Sequence, residues 1–239
     1  MQYLLSKTTQ LLFLGTSLMC GTVLTANMAQ LHLDFGTADG KVSLAESNFE
    51  VGVPISGQYK LIEDAVRMTH GEQDGFFNSS FLRNYRGLGE SYTYDFVISL
   101  KSRIHKLEGT SNRRWGIHLF ATGIADTRFN GISAQVIGNK RGRDRYIALR
   151  YGLDGQFLAK AVLGPGDVKP GQEYTFTVTG TFEGEKDLNL SLTVTDGNNT
   201  QTTSATVDRS HCQNTKFGGS ARLRTGWVID FYNFTVTLP

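Results

Sequence analysis

From Gln30 onward the chain places apolar residues at every second position, and that period suits only extended strands. Tyr92, Tyr94, Phe96, Ile98 and Leu100 alternate with Thr93, Asp95, Val97, Ser99 and Lys101. Trp115, Ile117 and Leu119 alternate with Arg114, Gly116, His118 and Phe120. The same rhythm runs through Ile132–Ile137, Tyr146–Tyr151, Phe157–Val162, Tyr174–Thr179 and Leu188–Thr195. In the third of these, Phe157, Ala159 and Ala161 are expected to face away from Leu158, Lys160 and Val162. The breaks carry turn chemistry: Gly152-Leu153-Asp154-Gly155, Gly164-Pro165-Gly166-Asp167, Lys169-Pro170-Gly171-Gln172 and Asp196-Gly197-Asn198-Asn199. Strands spaced about 10–15 residues apart, with no amphipathic helix between them, predict an all-β antiparallel sandwich or barrel.

The closing stretch Gly226–Val236 is rich in β-branched and aromatic residues and has no proline. A strand this apolar must be covered and paired, because an exposed apolar edge aggregates. Its expected partner is Leu31-His32-Leu33-Asp34-Phe35. Between Thr37 and Asn84 the sequence is richer in glycine and polar residues, which predicts edge strands and long loops.

Length and charge narrow the function classes. A chain of 239 residues accommodates one large β domain. A net charge of +2 gives no reason to expect nucleic acid or an anionic membrane as partner. Residues 1–29 read as a secretory signal peptide: Lys7 precedes an apolar run from Leu11 to Met19, and small residues at Thr25, Ala26 and Ala29 offer cleavage points. A membrane anchor fits less well, since Gly15, Thr16, Cys20 and Gly21 interrupt the run, and a lipoprotein site at Cys20 would follow a bulky Met19. The expected mature domain is 30–239, secreted to an extracellular or periplasmic space, with no membrane-spanning segment. Cys212 is then the one cysteine left, so no intrachain disulfide forms. His211 beside it would point to the opposite face of a strand.

These features together resemble the concanavalin A-like lectin/glucanase superfamily in its laminin-G-like jelly-roll form. The likeness rests on an early strand at Leu31–Phe35, a meander of long strands, Thr175–Thr181 before Leu188–Leu192, then Gly218-Gly219-Ser220. A final run, Asp230-Phe231-Tyr232-Asn233-Phe234-Thr235-Val236, follows. The resemblance implies an antiparallel two-sheet β-sandwich and a carbohydrate partner. Retaining glucanases of that fold carry an E-x-D-x-x-E-like strand, absent here; Glu183-Gly184-Glu185-Lys186-Asp187 reads as a turn. The alginate-lyase branch carries a Q-[I/V]-H-like strand, which Gln135-Val136-Ile137 resembles, with isoleucine in the histidine's place. Its R-x-E-x-R-like and Y-x-K-x-G-x-Y-like strands are missing.

Strands in register would gather Asp95, Ser99, Arg114, His118, Gln135, Arg150 and Lys160 on one face, with Phe120 and Tyr146 among them. Rings stack on sugar C–H faces, while Arg, Gln and His bind hydroxyls or carboxylates, so the candidate ligand site is Arg114, His118, Phe120, Gln135, Tyr146, Arg150 and Lys160. The alternative is an ordinary solvated sheet face. For a lyase, His118 and Tyr146 are the candidate base and acid, with Arg114 or Gln135 on the uronate; His70 is a further histidine to place. No cofactor is required by this reading. Asp34 and Asp230 are candidate ligands for a structural Ca²⁺, and Asp126 with Asn130-Gly131 for a loop site. Lys140–Arg145 is expected as a solvated basic hairpin tip or a contact for an anionic glycan. The N-x-[ST] sequons fall at Asn78, Asn189, Asn198 and Asn233, the last expected in a buried strand. The sequence thus leaves three functions open: a lectin-like module for extracellular polysaccharide, an acidic one being favoured by the cationic excess; a polysaccharide lyase, ahead of a glycoside hydrolase, with a divergent site; or a structural adhesion protein.

Overall fold

The computed structural model describes residues 29–33, 49–52, 57–62, 65–70, 76–84, 95–107, 113–121, 131–138, 144–152, 155–212, 216–224 and 226–238. In chain order the strands are β1 (Ala29–Leu33), β2 (Phe49–Gly52), β3 (Gly57–Ile62), β4 (Ala65–His70) and β5 (Phe76–Asn84). Then come β6 (Phe96–Lys106), β7 (Arg113–Ala121), β8 (Ile132–Gly138), β9 (Arg145–Tyr151) and β10 (Phe157–Gly164). The last five are β11 (Glu173–Glu183), β12 (Asp187–Thr195), β13 (Thr200–Asp208), β14 (Lys216–Arg224) and β15 (Val228–Leu238). One sheet runs β13-β12-β11-β6-β15-β4-β3, with β1 also on β15; the other runs β10-β9-β8-β7-β14-β5-β2. Every pairing is antiparallel.

The alternating runs become the core. Phe96, Ile98, Leu100, Trp115, Ile117, Leu119, Ile147, Leu149, Phe176, Val178 and Leu188–Val194 at alternate positions are all buried between the sheets. Each buried aliphatic or aromatic side chain contributes about 1.5–3 kcal/mol relative to exposure. Tyr92 and Tyr94 lie outside the described residues. At the centre Trp115 meets Tyr174 edge-on at 5.0 Å and Trp227 at 6.2 Å, and its indole N–H donates to Ser102 Oγ at 3.0 Å. The indole's polar end is thereby satisfied inside the core.

The closing strand sits in the middle of its sheet. It pairs with β6 on one side and with β4 and β1 on the other. Its clasp on the first strand forms as expected, two residues earlier than Leu31–Phe35: Ala29 opposes Leu238 and Leu33 opposes Phe234. A register irregularity falls between Tyr232 and Thr235, where Asn233 has φ +51°. Asparagine tolerates that left-handed conformation better than most residues. The extra residue lets both Phe231 and Phe234 point inward and turns Asn233 out to solvent. The expectation that Asn233 is buried is therefore corrected. The region Thr37–Asn84 supplies β2 and β3 at sheet edges, but β4 and β5 are interior strands.

The two sheets are locked where β9 meets the β12–β13 turn. Arg145 Nη2 donates to Asp196 Oδ2 at 2.6 Å, with both side chains buried. The Asp196 carboxylate also accepts from the backbone N–H groups of Asn198 and Asn199 and from Gln172 Nε2. Arg145 is thus an internal clamp and not part of a solvated basic tip; Lys140–Arg143 lie outside the described residues.

Candidate functional site

Strand register decides which candidate residues share a face. On the outer side of the seven-stranded sheet, Arg114 opposes Ile137, which opposes Tyr146, which opposes Val162. The next row is Gly116, Gln135, Ala148 and Lys160, and the next is His118, Ser133, Arg150 and Phe157. Six candidates therefore lie on one face: Arg114, His118, Gln135, Tyr146, Arg150 and Lys160. Asp95 and Ser99 do not join them, because β6 belongs to the other sheet.

Phe120 leaves the face as well. Its φ is +55°, which breaks the alternation of β7. The ring turns into the core and packs edge-on against Phe96 at 5.9 Å and Phe217 at 5.1 Å. A second irregularity does the reverse. The register shifts between Phe157 and Ala159, so Phe157 lands on the same side as Lys160 and Val162 instead of opposite them. Sequence alternation could not show either change, since both are single-residue breaks of the period.

The face has a buried centre and an exposed flank. His118, Ser133 and Gln135 have no solvent exposure. Both amide atoms of Gln135 are buried without a hydrogen-bond partner among the described residues. Its row neighbours are the smallest available, Gly116 and Ala148. At Gly116, with φ +155°, a Cβ would stand 2.1 Å from the Ala134 carbonyl oxygen, so only glycine fits. Burial lowers the His118 pKa to about 4, which keeps the imidazole neutral at physiological pH. Ser133 Oγ donates to the Gly152 carbonyl.

Along the sheet edge the face opens. Phe157 is 45% and Val162 48% exposed, and Tyr146 is partly exposed. Lys160 Nζ lies 4.1 Å from the Tyr146 ring centroid and 5.5 Å from that of Phe157. The Arg150 guanidinium lies 4.3 Å from the Phe157 ring and donates twice to the Gly155 carbonyl, at 3.0 and 2.6 Å. One lysine thus spans two rings, with an arginine behind the second.

Charge is distributed unequally between the sheets. The strands β10, β9, β8, β7, β14 and β5 contain no aspartate or glutamate. They carry Arg83, Arg113, Arg114, Arg145, Arg150, Lys160, Lys216, Arg222 and Arg224. Arg113 and Arg145 turn to Asp167 and Asp196 within the fold. The other sheet holds Glu173, Glu183, Asp187, Asp208 and Asp230.

The remaining candidates are placed elsewhere. His118 and Tyr146 are two strands and four residues apart by register, roughly 16 Å at standard sheet spacings. They cannot act on one substrate atom, which corrects their pairing as base and acid. Asp230 lies on the outer face of the eight-stranded sheet, where both oxygens accept from Arg67 at 2.7 Å and Oδ2 contacts His105 Nε2 at 2.6 Å. Its charge is already matched by a bidentate guanidinium. Asp34, Asp126 and Asn130 lie outside the described residues, and His70 ends β4. Among the described residues no group of three or more His, Cys, Asp or Glu is placed to hold a metal. Cys212 is buried, and burial pushes its thiol up to about 12, so it stays protonated and unreactive. No helix among the described residues is long and apolar enough to cross a membrane.

No family model matches the chain, and no curated protein matches its sequence. Solved structures do match. The alginate lyase Aly36B superimposes with a TM-score of 0.53 at 12% identity, over 87% of this chain and 96% of that one. The lectin UEA-II, complexed with galactose, gives 0.51 at 11% identity, over 88% and 98%. A legume lectin-like domain from Entamoeba histolytica gives 0.50 at 13% identity, over 79% and 88%. These lectins and this alginate lyase thus share with the chain the overall fold, a sandwich of two antiparallel sheets.

Proposed function

We propose that the chain is a secreted carbohydrate-binding protein. Its site is the outer face of the seven-stranded sheet, and its ligand an acidic polysaccharide. The observation that carries this reading is the absence of carboxylates from six consecutive strands, whose outer face carries Arg114, Arg150 and Lys160. A polyanion meets no repulsive group on those strands. The exposed strip of Tyr146, Phe157 and Lys160 adds rings for sugar C–H faces and an ammonium for carboxylate or sulfate. The two rings lie within about 10 Å of each other, a span that adjacent sugars of one chain can bridge. The lectin and alginate-lyase neighbours support a carbohydrate ligand for this fold.

Affinity electrophoresis tests it, with gels containing polyuronate, a sulfated polysaccharide or a neutral glucan. Retardation by the acidic polymers, weakened in Phe157→Ala and Lys160→Ala, is the expected result. Equal mobility in all gels would end the proposal.

A lyase is the second reading, favoured by one observation. His118 and Gln135 are diagonal neighbours on adjacent strands, a neutral imidazole beside an amide with no partner. Both side chains are fully buried, so this reading requires that part of the face to be uncovered; Gln135 would then bind the uronate carboxyl and His118 would take the neighbouring proton. Incubation with polyuronate decides it through the absorbance of the unsaturated product, and a flat trace excludes it. Hydrolysis by paired carboxylates finds no support in these strands, which offer none.

A further inference from the structure

Cations and apolar side chains alternate across the open part of the seven-stranded sheet's outer face. The row that crosses β7, β8, β9 and β10 reads Arg114, Ile137, Tyr146, Val162. Arg114, Ile137 and Tyr146 are partly exposed and Val162 is exposed, in contrast to the fully buried His118 and Gln135. Lys160 belongs to β10, but its ammonium stands 4.1 Å from the Tyr146 ring centroid, so a positive charge sits at the third position of the row. On its far side come two exposed apolar side chains, Val162 in the row and Phe157, whose ring centroid is 5.5 Å from the same ammonium. Arg150 turns its charge inward, to the Gly155 carbonyl, and is only 5% exposed. At the other end Arg222 opposes Arg114 by register, which extends the first cationic position by one strand. The order across the face is therefore cation, apolar, cation, apolar.

We propose that the ligand is a heteropolysaccharide in which acidic sugars alternate with neutral ones, lying across the strands. The proposal rests on the acidic-polysaccharide reading above and narrows it. Arg114 and Tyr146 are two strands apart, roughly 10 Å at standard sheet spacing and about the length of two sugars in an extended chain. One anionic group meets Arg114, and the next meets Lys160 over Tyr146. The neutral sugar between them lies on Ile137, and the one that follows lies on Val162 and Phe157. A polymer with a carboxylate on every sugar suits this line less well. Its alternate carboxylates would be set on Ile137 and on the Val162–Phe157 pair, losing water without gaining a counter-charge. The apolar positions thus select against a uniform polyanion, and the cations select against a neutral chain. Discrimination then comes from a repulsive element as well as an attractive one.

Isothermal titration at one fixed ionic strength compares three oligosaccharides of equal length: a homopolyuronate, a chain of uronate alternating with neutral sugar, and a neutral glucan. The wild type is expected to bind the alternating chain about tenfold more tightly than the homopolyuronate, with no measurable binding of the glucan. Ile137→Lys puts a cation at the apolar position. It is expected to tighten the homopolyuronate until the preference disappears, with circular dichroism unchanged because Ile137 is partly exposed. A wild type that binds the homopolyuronate as tightly as the alternating chain, or more tightly, would overturn the proposal and leave the acidic-polysaccharide reading standing. An unchanged preference in folded Ile137→Lys would do the same. Failure of the wild type to bind either acidic chain would overturn both. The wild-type comparison needs no variant, so it decides the matter even where Ile137→Lys does not fold.

Discussion

At the residue scale the sharpest test falls on Gln135. A buried amide with no hydrogen-bond partner costs about 1–3 kcal/mol. Replacing it with the similar-sized apolar Met removes that penalty. Gln135→Met is expected to raise the thermal midpoint by about 2–4 °C per kcal/mol recovered, while weakening retardation by polyuronate. A stabilised variant that binds as well as wild type would assign Gln135 to the core alone. His118, in the adjacent strand, makes the opposite kind of demand. Its folded pKa of about 4 lies below the ordinary value of 6.5. As pH falls below 6.5 the unfolded chain takes up a proton that the folded chain refuses until about pH 4. Stability is therefore lost between pH 6.5 and 4, by about 3 kcal/mol for a shift of this size. Urea midpoints at pH 7 and pH 4.5 should show this fall, and it should shrink in His118→Asn. An equal fall in the variant would place its origin in other groups.

At the scale of elements, the breaks in strand periodicity mattered more than the strands. The core strands were legible in the sequence because half-buried strands must alternate, and the terminal clasp was legible because an apolar last strand must be covered. Phe120, Phe157 and Asn233 were misplaced for a single reason: a left-handed residue or bulge shifts the period by one, and side-chain chemistry alone does not reveal where. β14 went unread as a strand because Gly218 and Gly219 contribute no apolar pattern. The Arg145–Asp196 clamp was also hidden, since its partners lie 51 residues apart and Arg145 follows directly on a run of charges. With Arg145 only 7% and Asp196 0% exposed, removing one partner strands a buried charge. Arg145→Ala should cost about 3–5 kcal/mol in chemical denaturation. Arg145→Met with Asp196→Leu should recover much of that loss, because no charge is then left unpaired.

For the molecule as a whole, the candidate site was legible as a list of residues but not as a charge distribution. The acid-free strands β5, β7 to β10 and β14 are spread from Phe76 to Arg224, with acidic residues in the segments between them. Only the sheet order brings them together. Binding to a polyanion should then weaken steeply with salt, as released counterions return. Titration at several ionic strengths would show it, and an affinity indifferent to salt would contradict a cationic face.

The same absence of carboxylates also makes the protein a fixed reference against which its ligand can be titrated. Apart from the buried His118, the side chains of those six strands hold no group expected to change charge between about pH 4 and pH 9. Any pH dependence of affinity above the His118 transition therefore reports the acid groups of the polysaccharide. In His118→Asn, which removes the one group of these strands that takes a proton near pH 4, a uronate polymer would begin to release as its carboxyls protonate toward pH 4, whereas a sulfate ester would stay bound. The protein's own constancy would then distinguish the two chemistries of anion in a single titration.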